Sequence, residues 1–240
     1  MSLDDFASVG KTLEDCGLRA IASPDPAVTL WLCGLDRDAA GLAGCAALLA
    51  PEEQARATRF GTERLRQRYI VGRATLRRLL GLAMGRLPAD VPLRCGRRGR
   101  PELTIATTLD FNVSHAGDVA LIGLARDTRI GVDIERADRK VDVDRLARKV
   151  LAPEERTTLA ALPLPERRLR FLQLWTCKEA MSKATADGLA APFGRLHVAL
   201  GEPPRLLAGP APYIAPHWRL FSPTLGTDWL ATIALWTGAG

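Results

Sequence analysis

The sequence predicts an α+β fold, a pseudo-two-fold duplication of two similar α/β halves packed face to face with a cleft between them for a ligand. Three observations lead there. First, Leu49-Ala50-Pro51-Glu52-Glu53 returns as Leu151-Ala152-Pro153-Glu154-Glu155, an offset of 102, and at the same offset Arg68-Tyr69-Ile70 meets Arg170-Phe171-Leu172. A period of about 100 residues is too long for a solenoid, although Ala-Pro-Glu-Glu alone is also a common helix start. Second, stretches of helical periodicity alternate with short strand-like ones. Third, 240 residues, 47% of them hydrophobic and 25% charged, can bury a sizeable core.

Residues 1–26 mix acids, small residues and a Ser23-Pro24-Asp25-Pro26 break, and read as an N-terminal extension of undefined structure. The N-terminal half, 27–128, opens on a strand at 28–35, followed by an Ala- and Leu-rich helix at 39–49. Pro51-Glu52-Glu53 starts another helix, with proline in its first turn and acids at the positive end of its dipole. From 59 to 80 apolar residues recur at helical spacing with Arg on the other face. After a break at 96–101, strands follow at 111–113 and 119–125. The C-terminal half, 129–240, begins with a strand at 129–134 and continues through helices at 143–150, 153–162 and 166–184. It ends in a Pro- and aromatic-rich tail with one more strand at 229–236.

The net charge of +6 is unevenly spread. From Arg56 to Arg100 there are thirteen Arg against Glu63 and Asp90, so this stretch carries +11 and the remainder about −5. Such a face favours a polyanion: nucleic acid, an anionic membrane, a phosphorylated cofactor or an acidic protein. Five scattered Cys without a C-x-x-C argue against a disulfide framework or zinc ribbon and suit a reducing cytosol. Asp4 and Asp5 stand where a secretory signal is basic, and the apolar run 39–50 is too short to span a bilayer. The expectation is a cytoplasmic protein.

Four segments carry candidate chemistry. On a strand, Gly131-Val132-Asp133-Ile134-Glu135 turns Asp133 and Glu135 to one face and Val132 and Ile134 into the core. Carboxylates about 7 Å apart repel unless solvated or bridged by a cation, and oxygen ligands suit Mg²⁺. An edge strand with two solvated acids meets the same pattern. Over 175–183 a helix aligns Trp175, Glu179 and Lys183 in one stripe, able to hold a metal-bound phosphate or merely to form a surface pair. In Asn112-Val113-Ser114-His115, adjacent residues face opposite ways and no G-x-S-x-G is present, which counts against a Ser–His hydrolase. Polar residues there suit phosphate or base contacts, or an ordinary turn. Arg97-Arg98-Gly99-Arg100-Pro101 offers guanidinium forks to phosphate or to solvent, without the aromatic residues of a nucleic-acid patch. His197 and His217 are isolated, and no Walker motif, G-x-G-x-x-G or zinc spacing occurs.

In order and separation, Gly99-Arg100-Pro101, Phe111-Asn112-Val113-Ser114-His115, Gly131-Val132-Asp133-Ile134-Glu135 and Trp175-x-x-Lys178-Glu179-Ala180-x-x-Lys183 resemble the Sfp-type 4′-phosphopantetheinyl transferases. The resemblance runs from about Val28 to the C-terminus. It implies the family's pseudo-dimeric fold with the active site in the cleft. It also implies transfer of the 4′-phosphopantetheine arm of coenzyme A to a serine hydroxyl of an acyl or peptidyl carrier protein, with release of adenosine 3′,5′-bisphosphate. Such carriers serve fatty-acid, polyketide or nonribosomal peptide synthesis. By the same resemblance, Asp133, Glu135 and Glu179 hold Mg²⁺ (or Mn²⁺) on the CoA pyrophosphate, with Asp133 also counted among the CoA contacts. Glu179 is the base for the carrier serine, directly or through water. Lys183 stabilises or protonates the leaving bisphosphate, with Lys178 beside it. Ser114, His115 and Arg100 contact the 3′-phosphate and nucleotide, joined by Arg56, Arg64 and Arg68.

Two departures stand out: the family's G-K-P lysine is Arg100, and the basic residue some members carry after the Pro-Glu start is Glu53. An acidic carrier is expected to dock along 166–196, with Leu189 and Phe193 as exposed apolar contacts. No nucleic acid or membrane partner is expected, and one chain supplying both sides of the cleft implies a monomer. The competing reading is a non-catalytic CoA- or nucleic-acid-binding module that uses the Arg-rich face.

Overall fold

The computed structural model describes residues 17–23, 25–96 and 99–238. Arg97 and Arg98 of the basic turn, and most of the expected N-terminal extension, lie outside the described residues. The N-terminal half runs β1 (Leu18–Ile21), β2 (Val28–Gly34), α1 (Ala39–Ala46), α2 (Pro51–Ala57) and α3 (Glu63–Met84). It continues through β3 (Leu93–Cys95), β4 (Pro101–Leu103), β5 (Leu109–Ala116) and β6 (Val119–Arg126). The C-terminal half repeats this order from its second strand onward: β7 (Arg129–Arg136), α4 (Val143–Val150), α5 (Pro153–Ala160) and α6 (Leu164–Thr185). Then come β8 (His197–Ala199), β9 (Arg205–Ala208), β10 (Trp218–Phe221) and β11 (Trp229–Trp236).

Pairing repeats as well. The first sheet contains β2-β6-β5 and the second β7-β11-β10, antiparallel throughout. The chain is therefore the α+β duplication that the internal repeat predicts. One local reading is corrected: Leu18–Ile21, assigned to the extension, pairs with β2 along its full length. The short strands β3, β4, β8, β9 and β10 escaped the sequence reading because three or four residues leave no period to detect.

The register of the repeat also needs correction. Glu53 and Glu155 correspond at an offset of 102, but α3 and α6, both 22 residues long, run at 101. Burial sets this register: Ile70, Val71, Arg77 and Leu80 correspond to Phe171, Leu172, Lys178 and Met181, all buried. The match of Arg68-Tyr69-Ile70 to Arg170-Phe171-Leu172 lies one residue outside it.

The repeated Pro-Glu-Glu has a physical reason. Glu53 accepts from the Ala50 N–H (3.0 Å) and Arg77 Nε (2.6 Å), while Glu155 accepts from the Ala152 N–H (2.7 Å) and Lys178 Nζ (2.5 Å). Each carboxylate caps its own short helix and holds a buried cation from the long helix packed against it. Arg77 is thus not on the solvent face with the other arginines, as periodicity predicted. Its remaining donors reach the carbonyls of Pro88, Ala89 and Val91.

Three apolar cores follow from the layers. Helices α1–α3 cover one face of the first sheet through Trp31, Cys33, Val71, Leu79 and Phe111. Helices α4–α6 cover the second through Phe171, Leu172, Met181 and Trp218. The opposite faces meet in a third core containing Leu30, Leu121, Ile130, Val132, Ile134 and Ile233. Where the halves join, β5 side chains close the open edge of β7. Asp110 Oδ2 accepts from the Ile130 N–H (2.9 Å), Asn112 Oδ1 from Val132 (3.0 Å) and Ser114 Oγ from Ile134 (3.3 Å). Strand alternation places these three acceptors in one row, and they satisfy main-chain donors that would otherwise be buried unpaired.

Candidate active site

The seam between the halves sets the geometry. Along β7, Ile130, Val132 and Ile134 enter the inter-sheet core, so Gly131, Asp133 and Glu135 turn towards α6. A Cβ at Gly131 would overlap the Ala180 carbonyl; glycine lets the helix lie directly on the strand. That approach brings Lys183 over Asp133. Lys183 Nζ donates to Asp133 Oδ1 (2.6 Å), Ser114 Oγ (2.8 Å) and the Val132 carbonyl (3.2 Å). The Ser114 hydroxyl donates to the same Asp133 oxygen (2.9 Å).

Asp133 Oδ2 is buried without a hydrogen-bond partner, an arrangement that costs free energy unless something supplies positive charge. Glu135 and Glu179 are half-buried nearby. Burial holds Glu179 above the usual carboxylate range, and the Asp133 charge adds to it against the pull of Lys183. Burial likewise raises Glu135; its ion pair with Arg139 opposes this and Asp133 reinforces it. Arg139 also lies over the Trp175 ring, 5.7 Å from its centroid, so one guanidinium links the tryptophan to the second carboxylate. Among the described residues no three His, Cys, Asp or Glu side chains converge closely enough to hold a metal ion as they stand. Lys183 and Arg139 supply the counter-charge instead. By chemistry the donor set, three carboxylates with one bare oxygen, fits a hard divalent cation.

A cleft of about 340 Å³ opens beside Lys183. Its N-terminal wall includes Arg56, Tyr69, Gly72, Arg73, Arg100 and His115, and its C-terminal wall is Ser182, Lys183, Ala186 and Gly188. Arg56 and Arg73 each lie 5.7 Å from the Tyr69 ring centroid. Gly72 leaves room for the His115 ring, whose Nε2 would stand 3.2 Å from a Cβ there. The His115 ring is exposed to the cleft, but the protein packed around it and the charges of Lys183 and Arg73 push its pKa down to about 4, so the imidazole is neutral at pH 7.

This arrangement coincides with clear sequence kinship. The profile of the 4′-phosphopantetheinyl transferase superfamily matches residues 129–234, and that of the 4′-phosphopantetheinyl transferase N-terminal region matches 38–126. The 4′-phosphopantetheinyl transferase HetI of Nostoc sp. is 34% identical over 87% of this chain and 87% of its own. A putative 4′-phosphopantetheinyl transferase of Synechocystis sp. is 36% identical over 85% of this chain and 82% of its own. The 4′-phosphopantetheinyl transferase of Bacillus subtilis is 28% identical over 65% and 68%. The chain belongs to the 4′-phosphopantetheinyl transferase family.

Within this transferase the structure brings together Asp133, Glu135, Glu179 and Lys183, and places Arg56 and His115 on the cleft wall. The other predicted residues are placed differently. Lys178 is buried, with Nζ on Glu155 and on the carbonyls of Val150 (2.8 Å) and Phe193 (2.9 Å), because it faces α5 and not the cleft. Ser114 is buried on the seam face of β5, opposite His115, and its hydroxyl serves Asp133 and Lys183. Arg100 lines the cleft, but both of its Nη groups are engaged by protein acceptors. Arg64 and Arg68 are not part of the cleft wall. Leu189 is 82% exposed, whereas Phe193 is buried against Trp175 in the second helical core. Sequence reasoning missed Arg73, Tyr69 and Arg139. Arg73 carried a usable signal, since it lies one helical turn from Tyr69 and next to Gly72. No helix among the described residues is long and apolar enough to cross a membrane.

Proposed function

We propose that this enzyme transfers the 4′-phosphopantetheine arm of coenzyme A to a serine hydroxyl of an acyl or peptidyl carrier protein, with Mg²⁺ or Mn²⁺, in the manner of Sfp-type members. The reading is carried by Lys183, which lines an arginine-bearing cleft and at the same time pairs with Asp133 beside Glu135 and Glu179. Asp133, Glu135 and Glu179 are the residues that would hold the metal. When bound, it supplies Lewis-acid neutralisation of charge on the leaving phosphate.

In the transfer, the serine oxygen bonds to the phosphorus bearing the pantetheine arm as the pyrophosphate P–O bond breaks. Adenosine 3′,5′-bisphosphate leaves with the bonding electrons. Glu179, held above the ordinary carboxylate range, is suited to take the serine proton. Lys183 presents its ammonium to the departing phosphate. Arg56 and Arg73 line the cleft to offset nucleotide phosphate charge, and neutral His115 offers a hydrogen bond without a further cation. The positive stretch from Arg56 to Arg100 attracts both CoA and an acidic carrier. Leu189, on the loop after α6, is the apolar carrier contact of this reading.

The deciding experiment is intact-protein mass spectrometry of apo carrier proteins incubated with the enzyme, CoA and Mg²⁺, with and without EDTA. A gain of one phosphopantetheine arm that EDTA prevents is expected. No gain on any carrier while CoA still binds would replace this reading with the non-catalytic binding module.

A further inference from the structure

We propose that Arg100 is a positioning residue, a clasp that fixes the Lys183–Asp133–Ser114 cluster, and not a contact of the CoA 3′-phosphate. The inference rests on the transferase reading for its kinetic consequence, and on geometry for the rest. The Arg100 side chain is only 8% exposed. Nη2 donates to both oxygens of Asp110 (2.9 Å each), to the Phe111 carbonyl (2.9 Å) and to the Ile130 carbonyl (3.2 Å). Nη1 donates to the carbonyls of Lys183 and Ala184, the latter at 3.3 Å.

These acceptors belong to β5, β7 and the last turn of α6, the same three elements that carry Ser114, Asp133 and Lys183. Arg100 grips Lys183 by its main chain while the Lys183 side chain reaches Asp133. The attraction has simple causes. The last carbonyls of a helix lack intrahelical donors and favour a cation, and the Asp110 carboxylate adds a full opposite charge. Each Nη nitrogen already has at least as many acceptors as protons. A phosphate could take the Nη donors only by displacing a carboxylate and four carbonyls. A lysine, with one compact ammonium and three donors, cannot serve the six acceptors that the two Nη groups reach here. Arg100 in place of the G-K-P lysine therefore changes the task of the position as well as its shape.

Arg100→Lys and Asp110→Asn separate the alternatives, because Asp110 contacts Arg100 from within the seam and does not line the cleft. Three readouts are compared with the parent enzyme: kcat and KM for CoA and 3′-dephospho-CoA, calorimetric CoA affinity, and amide hydrogen exchange without ligand. The clasp predicts that both variants lose at least about tenfold in kcat while KM and Kd for CoA stay within about twofold. It also predicts an unchanged preference for CoA over 3′-dephospho-CoA, and faster exchange at 182–186 and 130–134 in the ligand-free protein. A KM increase for CoA that spares 3′-dephospho-CoA would overturn the proposal in favour of a phosphate contact. Parental kcat with parental exchange would overturn it too. Absence of transfer by the parent would remove the transferase reading alone, since exchange and CoA affinity still decide the clasp. Parental exchange in Arg100→Lys then ends it.

Discussion

The two halves share an architecture and differ in what occupies one set of positions. Trp31 pairs with Ile122 in the first sheet and Asp133 with Thr232 in the second, at the same step of the long strands β6 and β11. By this correspondence Trp31 and Cys33 stand where the C-terminal half has Asp133 and Glu135. In the helix register, Arg78 and Leu82 stand where it has Glu179 and Lys183. The N-terminal half fills the space between helix and strand with an apolar core. The C-terminal half leaves there a half-buried cluster of charge. The scaffold tolerates either filling because the paired strands and the Glu53–Arg77 and Glu155–Lys178 ties are common to both. One copy is free to carry the acids while the other supplies the cationic wall of the cleft.

Substitution at the corresponding strand positions tests this most strongly. Asp133→Asn is expected to reduce kcat by about 10³-fold, the scale of removing one preorganised electrostatic group, with little change in thermal unfolding. Trp31→Ala is expected to cost about 3–5 kcal/mol of stability with kcat per folded molecule retained. Urea unfolding and carrier-modification kinetics on both variants check the contrast. Equal loss of activity in both would dissolve the distinction between a catalytic and a structural copy.

The shared ties come next in size. Removing the cation from a buried pair leaves an uncompensated carboxylate, so Lys178→Met should destabilise by about 3–5 kcal/mol, and Arg77→Met by less, because Arg73 still pairs with Glu53 at 3.4 Å. Neither should change calorimetric CoA affinity of the folded protein. Lost affinity at parental stability in Lys178→Met would return that lysine to the cleft.

How far the sequence revealed these roles depends on how local each signal was. Alternation on β7 put Asp133 and Glu135 on one face, and the 175–179–183 stripe put Glu179 and Lys183 on one side of α6, because both patterns are set by backbone geometry alone. Lys178 sits in the same motif, and its burial depends on Glu155, 23 residues away. The repeat held a clue, since Glu53 meets Arg77 in the corresponding way, but the clue needs the 101 register that only packing reveals. Asp110, Asn112 and Ser114 alternate visibly, yet which edge they close is a tertiary fact. Arg73 was one of thirteen arginines, and composition cannot rank them.

A smaller effect probes coupling across the seam. His115 belongs to the N-terminal wall, but Lys183 of the other half helps push its pKa from 6.5 to about 4. The unfolded chain therefore binds a proton that the native protein refuses between those values, so stability should fall as pH drops from about 6.5 towards 4 and level off below. His115→Gln should flatten that part of the profile in urea titrations at successive pH values. Lys183→Met should raise the His115 pKa, read by NMR. An unmoved value would mean that desolvation by the cleft wall alone sets it and the halves are electrostatically independent at this point.

The smallest expected difference lies at the ends of the two long helices. Gly85 and Ala186 both take a left-handed conformation with φ of 63°, and both follow a 22-residue helix. Glycine adopts that conformation freely, whereas an L-side chain pays roughly 1 kcal/mol there. Gly85→Ala should thus destabilise by about 1 kcal/mol and Ala186→Gly should stabilise by about 0.5–1 kcal/mol, both measurable by chemical denaturation. Ala186 lines the cleft three residues after Lys183, so the more strained of two corresponding caps lies beside the cluster of charge. If Ala186→Gly gains stability and keeps kcat, the strain is incidental to the site. If it gains stability and loses kcat, the methyl group helps hold the turn that presents Lys183, and the two caps differ in function as well as in residue.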